Sequence, residues 1–359
     1  MIDLKTCEWL SEHADAPVRY RVARELLGDE KAARLAEPLL LENLFVKRWF
    51  DNIKPSLPTH GSFDYCLENM LPVALNLGLN GGIPEVRDAL ECYSAEFADA
   101  SLGEPRRKDF IYFNSVLNAN LLSAAGIGGE AVLKWLSGSL DEIYNFTSRG
   151  LYDIYISESE RKKLTGVPPN WTDNPFIKPE LLAEHGFGYP LIYDIIGLHS
   201  LYKLNDAKTN AKVNSVIEYI STDDFHEKIS EGYGILIMGK YGSGNMKYNG
   251  MGWDPKYPGW FDAAEYMENT KPSKLLFFAG YISKYPVAIK TKWFENLICC
   301  LERYRTDIGT YIFPKEWFPE KTGYAVGGFH MSLGESRRKK NWIEIESTFY
   351  VQLLKQNIK

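Results

Sequence analysis

Apolar residues recur at helical spacing along much of this chain. Val86, Ala89, Leu90 and Tyr93 form one stripe at i, i+3, i+4 and i+7. Val213, Val216, Ile217 and Ile220 form a second, and Phe294, Leu297, Ile298 and Leu301 a third. Val132, Trp135 and Leu136 open a fourth, which Leu140 extends. This spacing gathers apolar side chains on one face of an α-helix. Earlier in the chain, Asp15 and Pro17 read as a helix start, Val18, Val22 and Leu26 follow four apart, and Gly28 closes the run. Residues 53–62 hold two prolines and a glycine and read as a loop, after which a helix is expected from about Phe63 to Leu77.

The helix before each turn differs from the helix after it. Residues 110–125 are apolar nearly all round, with only Asn and Ser interspersed, and residues 189–204 are similar. A helix apolar on every side has to be buried on every side. The helices after the turns carry charge on one face, as with Glu85, Arg87, Asp88 and Glu91. Turn centres near Gly78, Gly126, Asp206 and Tyr285 are separated by about 48, 80 and 79 residues. These gaps approximate one, two and two steps of a unit of roughly 40 residues, a usual size for helical-hairpin repeats. Further turns are expected near 165 and 245, where a stretch with three prolines (165–175) and a Gly-, Asn- and Tyr-rich stretch (240–258) read as long loops. The pattern predicts an all-α fold with an inner ring of buried helices and an outer ring of amphipathic ones.

Three segments carry a family resemblance. They are Gly186-Phe187-Gly188-Tyr189-Pro190 with Tyr193-Asp194 after it, Lys271-Pro272-Ser273-Lys274 opening a helix, and Ile345-Glu346-Ser347-Thr348-Phe349 in the final helix. Over roughly residues 50 to 355 the chain resembles bacterial proteins of the terpenoid cyclase and protein prenyltransferase α/α-toroid superfamily (squalene-cyclase-like, its uncharacterised short group). The resemblance implies an α/α toroid of about six helical hairpins in two concentric rings. On this reading residues 1–359 form a single toroid domain, with 1–50 as an N-terminal helical segment packed on the ring. The family's Asp-Gly-Ser-Trp-like turn has its nearest counterpart in His60-Gly61-Ser62-Phe63, where Asp has become His and Trp has become Phe.

Composition narrows the partners. The 359 residues carry a net charge of −6, which argues against nucleic acid. No run approaches 18 apolar residues, so no membrane span is expected. The first 12 residues lack a basic segment followed by an apolar one, so no signal peptide is expected. Five scattered cysteines, Cys7, Cys66, Cys92, Cys299 and Cys300, suit reduced thiols and a cytoplasmic location. Aromatic residues make up 14% of the chain; such side chains line cavities and also fill cores.

Candidate chemistry falls on a few acids and aromatics. Class II cyclases of this superfamily protonate substrate with an Asp-x-Asp-Asp motif; the nearest string here is Ser221-Thr222-Asp223-Asp224, which reads better as a helix cap. Asp64-Tyr65-Cys66 has the Asp-x-Cys spacing of the prenyltransferase zinc site, but Asp64 reads as a cap and Cys66 as core, so no metal and no cofactor is expected. The loop 248–262 is the most site-like stretch, with Tyr248, Trp253, Tyr257 and Trp260 as substrate-binding candidates and Asp254 and Asp262 as catalytic ones. Tyr189, Tyr193 and Asp194 open an inner helix, with the two tyrosines as further substrate-binding candidates and Asp194 as a catalytic one, whose pKa burial would raise and which is the first acid to test. Trp171 is a candidate lid residue, with Asp173 and Asn174 beside it. The run Arg337-Arg338-Lys339-Lys340 has the charge to hold a diphosphate, but reads by default as a solvated charge run before the last helix. Gly327-Gly328 and His330 form no phosphate fingerprint, and there is no nucleophile elbow, HExxH or P-loop.

The expected function is acid catalysis on an isoprenoid-like or other small organic molecule held in a central cavity. Two alternatives stand beside it: a non-catalytic toroid that binds a ligand or protein, and a carbohydrate-active (α/α)-barrel enzyme with facing carboxylates.

Overall fold

A computed structural model describes residues 2–54, 57–61, 63, 65–98, 108–163, 173–204, 206–229, 234–236, 252–253, 272–320 and 330–358. The fold is all-α in these residues, with strands of only two or three residues. The chain packs as two compact units. Unit 1 comprises Met1–Tyr93, Ala125–Ile127 and Phe261–Lys359, and unit 2 comprises Ser94–Ala124 and Gly128–Trp260. Among the described residues no helix is long and apolar enough to cross a membrane.

Unit 1 opens with α1 (Leu4–His13), α2 (Ala16–Arg21), α3 (Glu30–Glu42), α4 (Leu44–Phe50) and α5 (Leu67–Asn76). A π-turn, Val22–Leu26, prolongs α2 and keeps Val18, Val22 and Leu26 all buried. Gly28 follows in the left-handed region, as a helix-ending glycine does. Asp15 occupies the cap position of α2 without capping it; its carboxylate instead accepts from the Ser336 amide and from Lys339. Helix α5 begins four residues later than the periodicity suggests. Asn69 donates to the carbonyls of Gly61 and Phe63, so the turn before α5 wraps the helix start rather than joining it.

Helix α6 (Pro84–Ala98) leads toward unit 2, where α7 (Lys108–Ala124), α8 (Glu130–Thr147), α9 (Glu158–Arg161), α10 (Ile192–Lys203), α11 (Ala207–Ile220) and α12 (Asp223–Lys228) lie. The described side chains of α7 and α10 are almost wholly buried, while α8 and α11 bury one face each, through Val132, Leu136 and Leu140 and through Val213, Val216 and Ile217. The expected contrast between all-round apolar and one-sided helices is therefore present in this unit. Helix α7 packs chiefly on α10, and α8 on α11.

Gly197 permits the close α7–α10 approach: a Cβ there would lie 1.9 Å from Asn120 Oδ1 and 2.7 Å from Asn120 Cα. Short strands complete the unit. β1 (Phe176–Ile177) pairs in parallel with β4 (Gly234–Leu236), which pairs antiparallel with β5 (Gly252–Trp253), while β2 (Leu182–Ala183) and β3 (Gly186–Phe187) form a hairpin.

The chain returns to unit 1 with α13 (Pro272–Ile282), α14 (Lys292–Glu302) and α15 (Trp342–Lys355). Helix α15 is the centre of this unit. It packs on α1, on the π-turn and on α13, and it buries Ile345, Phe349 and Val351 completely.

Candidate functional site

Three carboxyl groups among the described residues are pushed up to about 7, each mainly by burial: Asp194, Glu335 and Glu346. Their surroundings separate them by role.

Asp194, in unit 2, stands in the first turn of α10. Its Oδ2 accepts from the Leu191 amide at 2.7 Å, and its Oδ1 accepts from Asn120 Nδ2 on α7 at 3.2 Å. Both oxygens are thus engaged in starting α10 and fastening it to α7. Tyr189 and Tyr193 are buried nearby in sequence, Tyr189 with its ring edge-on to Phe146. Asp194 and the two tyrosines occupy an apolar, buried helix start, as the sequence suggested. Tyr248, Asp254, Tyr257, Trp260, Asp262 and Trp171 lie outside the described residues, as does Asp64. Trp253 is described through its backbone, which pairs with Gly234 in β4.

The Ser221–Asp224 string ends as a structural feature. Thr222 Oγ1 caps α12 by accepting from the Phe225 amide, and Asp223 and Asp224 are exposed, Asp224 pairing with Lys228. Cys66 is buried with its thiol pushed up to about 11 by desolvation, and its Sγ donates to the Gly61 carbonyl. His60, in the same turn, lies 2.5 Å from the buried Glu68 carboxylate through Nδ1.

The described group best able to hold a cation is Glu142, Glu184 and His185 in unit 2, whose ligand atoms lie within 4.8 Å of one another. The Glu142 carboxylate already receives the His185 amide at 3.0 Å and lies 3.0 Å from its Nδ1. Trp135 meets the imidazole edge-on.

A further polar group among the described residues lies in unit 1, around the first turns of α15. Glu346 is fully buried. Its Oε1 accepts from the Leu333 and Glu335 amides at 3.1 and 3.3 Å. Gly334, at φ +89°, turns the backbone so that these two flanking amides meet one oxygen. A Cβ on Gly334 would sit 2.9 Å from Pro17 Cγ, so the turn is closed to larger residues. Oε2 of Glu346 is buried without a hydrogen-bond partner among the described residues. An unpaired buried oxygen favours the protonated acid, consistent with the raised pKa.

Arg337 flanks this acid. Its Nε donates to Glu320 at 2.5 Å, and its guanidinium lies 3.7 Å over the Trp342 ring. Nη1 forms an ion pair with Glu346 Oε1 at 3.0 Å, which opposes the upward push of burial on that acid, while neither terminal nitrogen has a well-aligned hydrogen-bond acceptor among the described residues. Lys339 is committed elsewhere, to Glu335 at 2.9 Å and Asp15 at 3.0 Å. The charge run 337–340 is therefore not simply solvated: its alternate members Arg337 and Lys339 turn inward onto buried carboxyl groups.

His330 bridges to Glu320 through the backbone. Its side chain is buried against Trp49, edge-on at 5.3 Å, and near Phe45. Desolvation, aided by the Arg337 charge and opposed by Glu320, pushes the imidazole down to about 4, so it is neutral at pH 7. His330 Nδ1 and the indole nitrogen of Trp49 are likewise buried without partners among the described residues.

Of this cluster, Glu346 stands out in the sequence only within the family resemblance and Arg337 only within the basic run 337–340, while Trp49 belongs to no motif. The available signal was an acid at position 346 between Ile345 and Phe349 in an otherwise apolar stretch. No protein-family model, no curated protein and no solved structure matches the chain.

Proposed function

We propose that this chain is an enzyme that acts on a small organic molecule by acid catalysis, with Glu346 as the acid. One observation carries the reading: a completely buried carboxyl has one oxygen fixed by two amides while the other lacks a hydrogen-bond partner among the described residues. A carboxylic acid kept protonated near neutral pH can deliver a proton on demand, and proton transfer of this kind contributes about 10²–10⁴-fold in rate. Asp194 has a similar raised pKa, but both its oxygens serve the α7–α10 junction. That favours Glu346.

His330, neutral beside Arg337, supplies a second nitrogen able to accept or pass a proton. The rings of Trp49, Phe45, Trp342 and Tyr350 supply an apolar setting in which an acid remains protonated and a developing positive charge is tolerated. On this reading the alternation of buried and one-sided helices belongs to an α/α toroid, and the substrate is isoprenoid-like or another small alkene-bearing molecule. The five free cysteines fit a reducing compartment such as the cytoplasm.

The test is turnover in D2O on a panel of prenyl and other alkenyl substrates, read as solvent deuterium in the product. Glu346→Gln is expected to abolish incorporation and Asp194→Asn to retain it. Full incorporation by Glu346→Gln would overturn the proposal.

A further inference from the structure

The proposed acid does not account for the donors that surround it. Arg337 gives Nε to Glu320, holds Nη1 in an ion pair 3.0 Å from Glu346 Oε1 and is laid flat on Trp342, which leaves the Nη1–Nη2 edge of a fixed, planar fork without a directed hydrogen bond among the described residues. Trp49 is 2% exposed and His330 1%, and each keeps a buried ring nitrogen without a partner among the described residues. Buried polar groups in folded chains are nearly always hydrogen-bonded. A cluster of such groups in contact sequence, Trp49 on His330, His330 paired to Glu320, Glu320 on Arg337, points to recognition of a polar group from outside the chain.

We infer that Arg337, with Trp49 and His330, receives the carboxylate of a small organic monocarboxylic acid, and that this carboxylate orients the substrate toward Glu346. The inference rests on the acid-catalysis reading for what happens next, but not for the binding itself.

Charge decides between carboxylate and phosphate. The Arg337 guanidinium is already shared between Glu320 and Glu346, and the neighbouring ammonium of Lys339 is bound to Asp15 and Glu335. Glu346, Glu335, Glu320 and Asp15 place four acidic groups around these two cations. Such a site can accept one negative charge only while a buried carboxyl stays protonated, and it is poorly matched to a dianionic phosphate. A planar guanidinium also matches a planar carboxylate through two parallel hydrogen bonds. With Nη1 only 3.0 Å from Glu346 Oε1, a carboxylate held on the Nη edges brings its attached carbon chain beside the proposed acid.

The experiment titrates the full chain with octanoate, with octanamide as the uncharged isostere and with inorganic phosphate, following tryptophan emission, since Trp49 and Trp342 both border the site. Octanoate is expected to give saturable quenching, octanamide and phosphate little. Arg337→Lys keeps the charge but loses the fork and is expected to weaken octanoate by about 10–100-fold, the worth of charge-assisted hydrogen bonds. Trp49→Phe removes a single donor and is expected to weaken it several-fold while the circular dichroism spectrum is unchanged, which covers the case in which Arg337→Lys does not fold. Equal affinity for octanamide, tighter binding of phosphate, no octanoate binding, or full octanoate affinity in a folded Arg337→Lys protein would each overturn the inference.

Glu346→Gln separates the two proposals. Octanoate binding that survives in this variant and in wild type, with no reaction anywhere depending on Glu346, removes the catalytic reading and leaves the carboxylate site. Glu346-dependent turnover without octanoate binding does the reverse.

Discussion

Replacing Glu346 by Gln also tests the physical premise, independent of any substrate. The carboxyl rises from an ordinary 4.5 to about 7 on folding, chiefly through burial. Between these values the folded chain holds a proton that the unfolded chain has released. Stability contributed by this group therefore falls as pH rises through that window, by about 1.4 kcal/mol per pH unit, and the full penalty of about 3 kcal/mol is present above pH 7. Gln keeps an oxygen to accept from the Leu333 and Glu335 amides but has no proton to lose. Its loss of the charge contact with Arg337 adds a cost only where Glu346 would be ionised. Urea unfolding at pH 5, 6, 7 and 8, followed by tryptophan emission, yields a stability difference between wild type and Glu346→Gln at each pH. That difference is expected to move in favour of Gln by about 2–3 kcal/mol from pH 5 to pH 8. Parallel pH profiles would show that Glu346 is ionised throughout, and the argument for a buried, protonated acid would fail.

Gly197→Ala places a Cβ against Asn120; overpacking of about 1–3 kcal/mol and a lost Asn120–Asp194 hydrogen bond of about 1 kcal/mol outweigh the roughly 1 kcal/mol that Ala brings to a helix, so thermal unfolding is expected at lower temperature. An unchanged or raised midpoint would contradict the close helix crossing. Gly334→Ala forces φ +89° on an alanine whose Cβ meets Pro17, at about 1–3 kcal/mol, and is expected to lower both stability and any Glu346-dependent turnover. In native alkylation at pH 8 followed by mass spectrometry, exposed Cys299 is expected to react first, whereas Cys7 and Cys66, buried and pushed up to about 11, react only on unfolding.

Much of the helical architecture was readable because burial imposes a period. Val213, Val216, Ile217 and Ile220 are all buried on α11, and the turn glycines Gly78 and Gly126 take the positive φ that ends a helix. The start of α5 was misjudged because Asn69 ties the preceding turn onto the helix, a side-chain interaction that leaves no periodic trace. Asp15 and Pro17 do mark the start of α2, but the Asp15 side chain does not cap it: its partners Ser336 and Lys339 lie over 300 residues away in sequence, and a local capping rule cannot foresee them. The acid at 194 was legible as buried, since it sits among Ile192, Tyr193, Ile195 and Ile196. Its role as a fastener was not, because that depends on Asn120 across a helix crossing. Arg337 was hidden inside a run of four cations, where composition suggests solvent and only tertiary packing selects the inward pair.

The assembly of α15 against α1 has a consequence for biosynthesis. Residues 4–13 find their packing partner at residues 342–355, with the whole of the other compact unit intervening in the sequence. At ribosomal rates of about 5–20 residues per second, the N-terminal helices emerge roughly 15–65 s before that partner does. During this interval the nascent segment exposes Leu10, Val18 and Val22, which are otherwise wholly covered. Unit 2 can close while its leading neighbour waits, and holdase chaperones are expected to engage the first 50 residues until translation passes position 355.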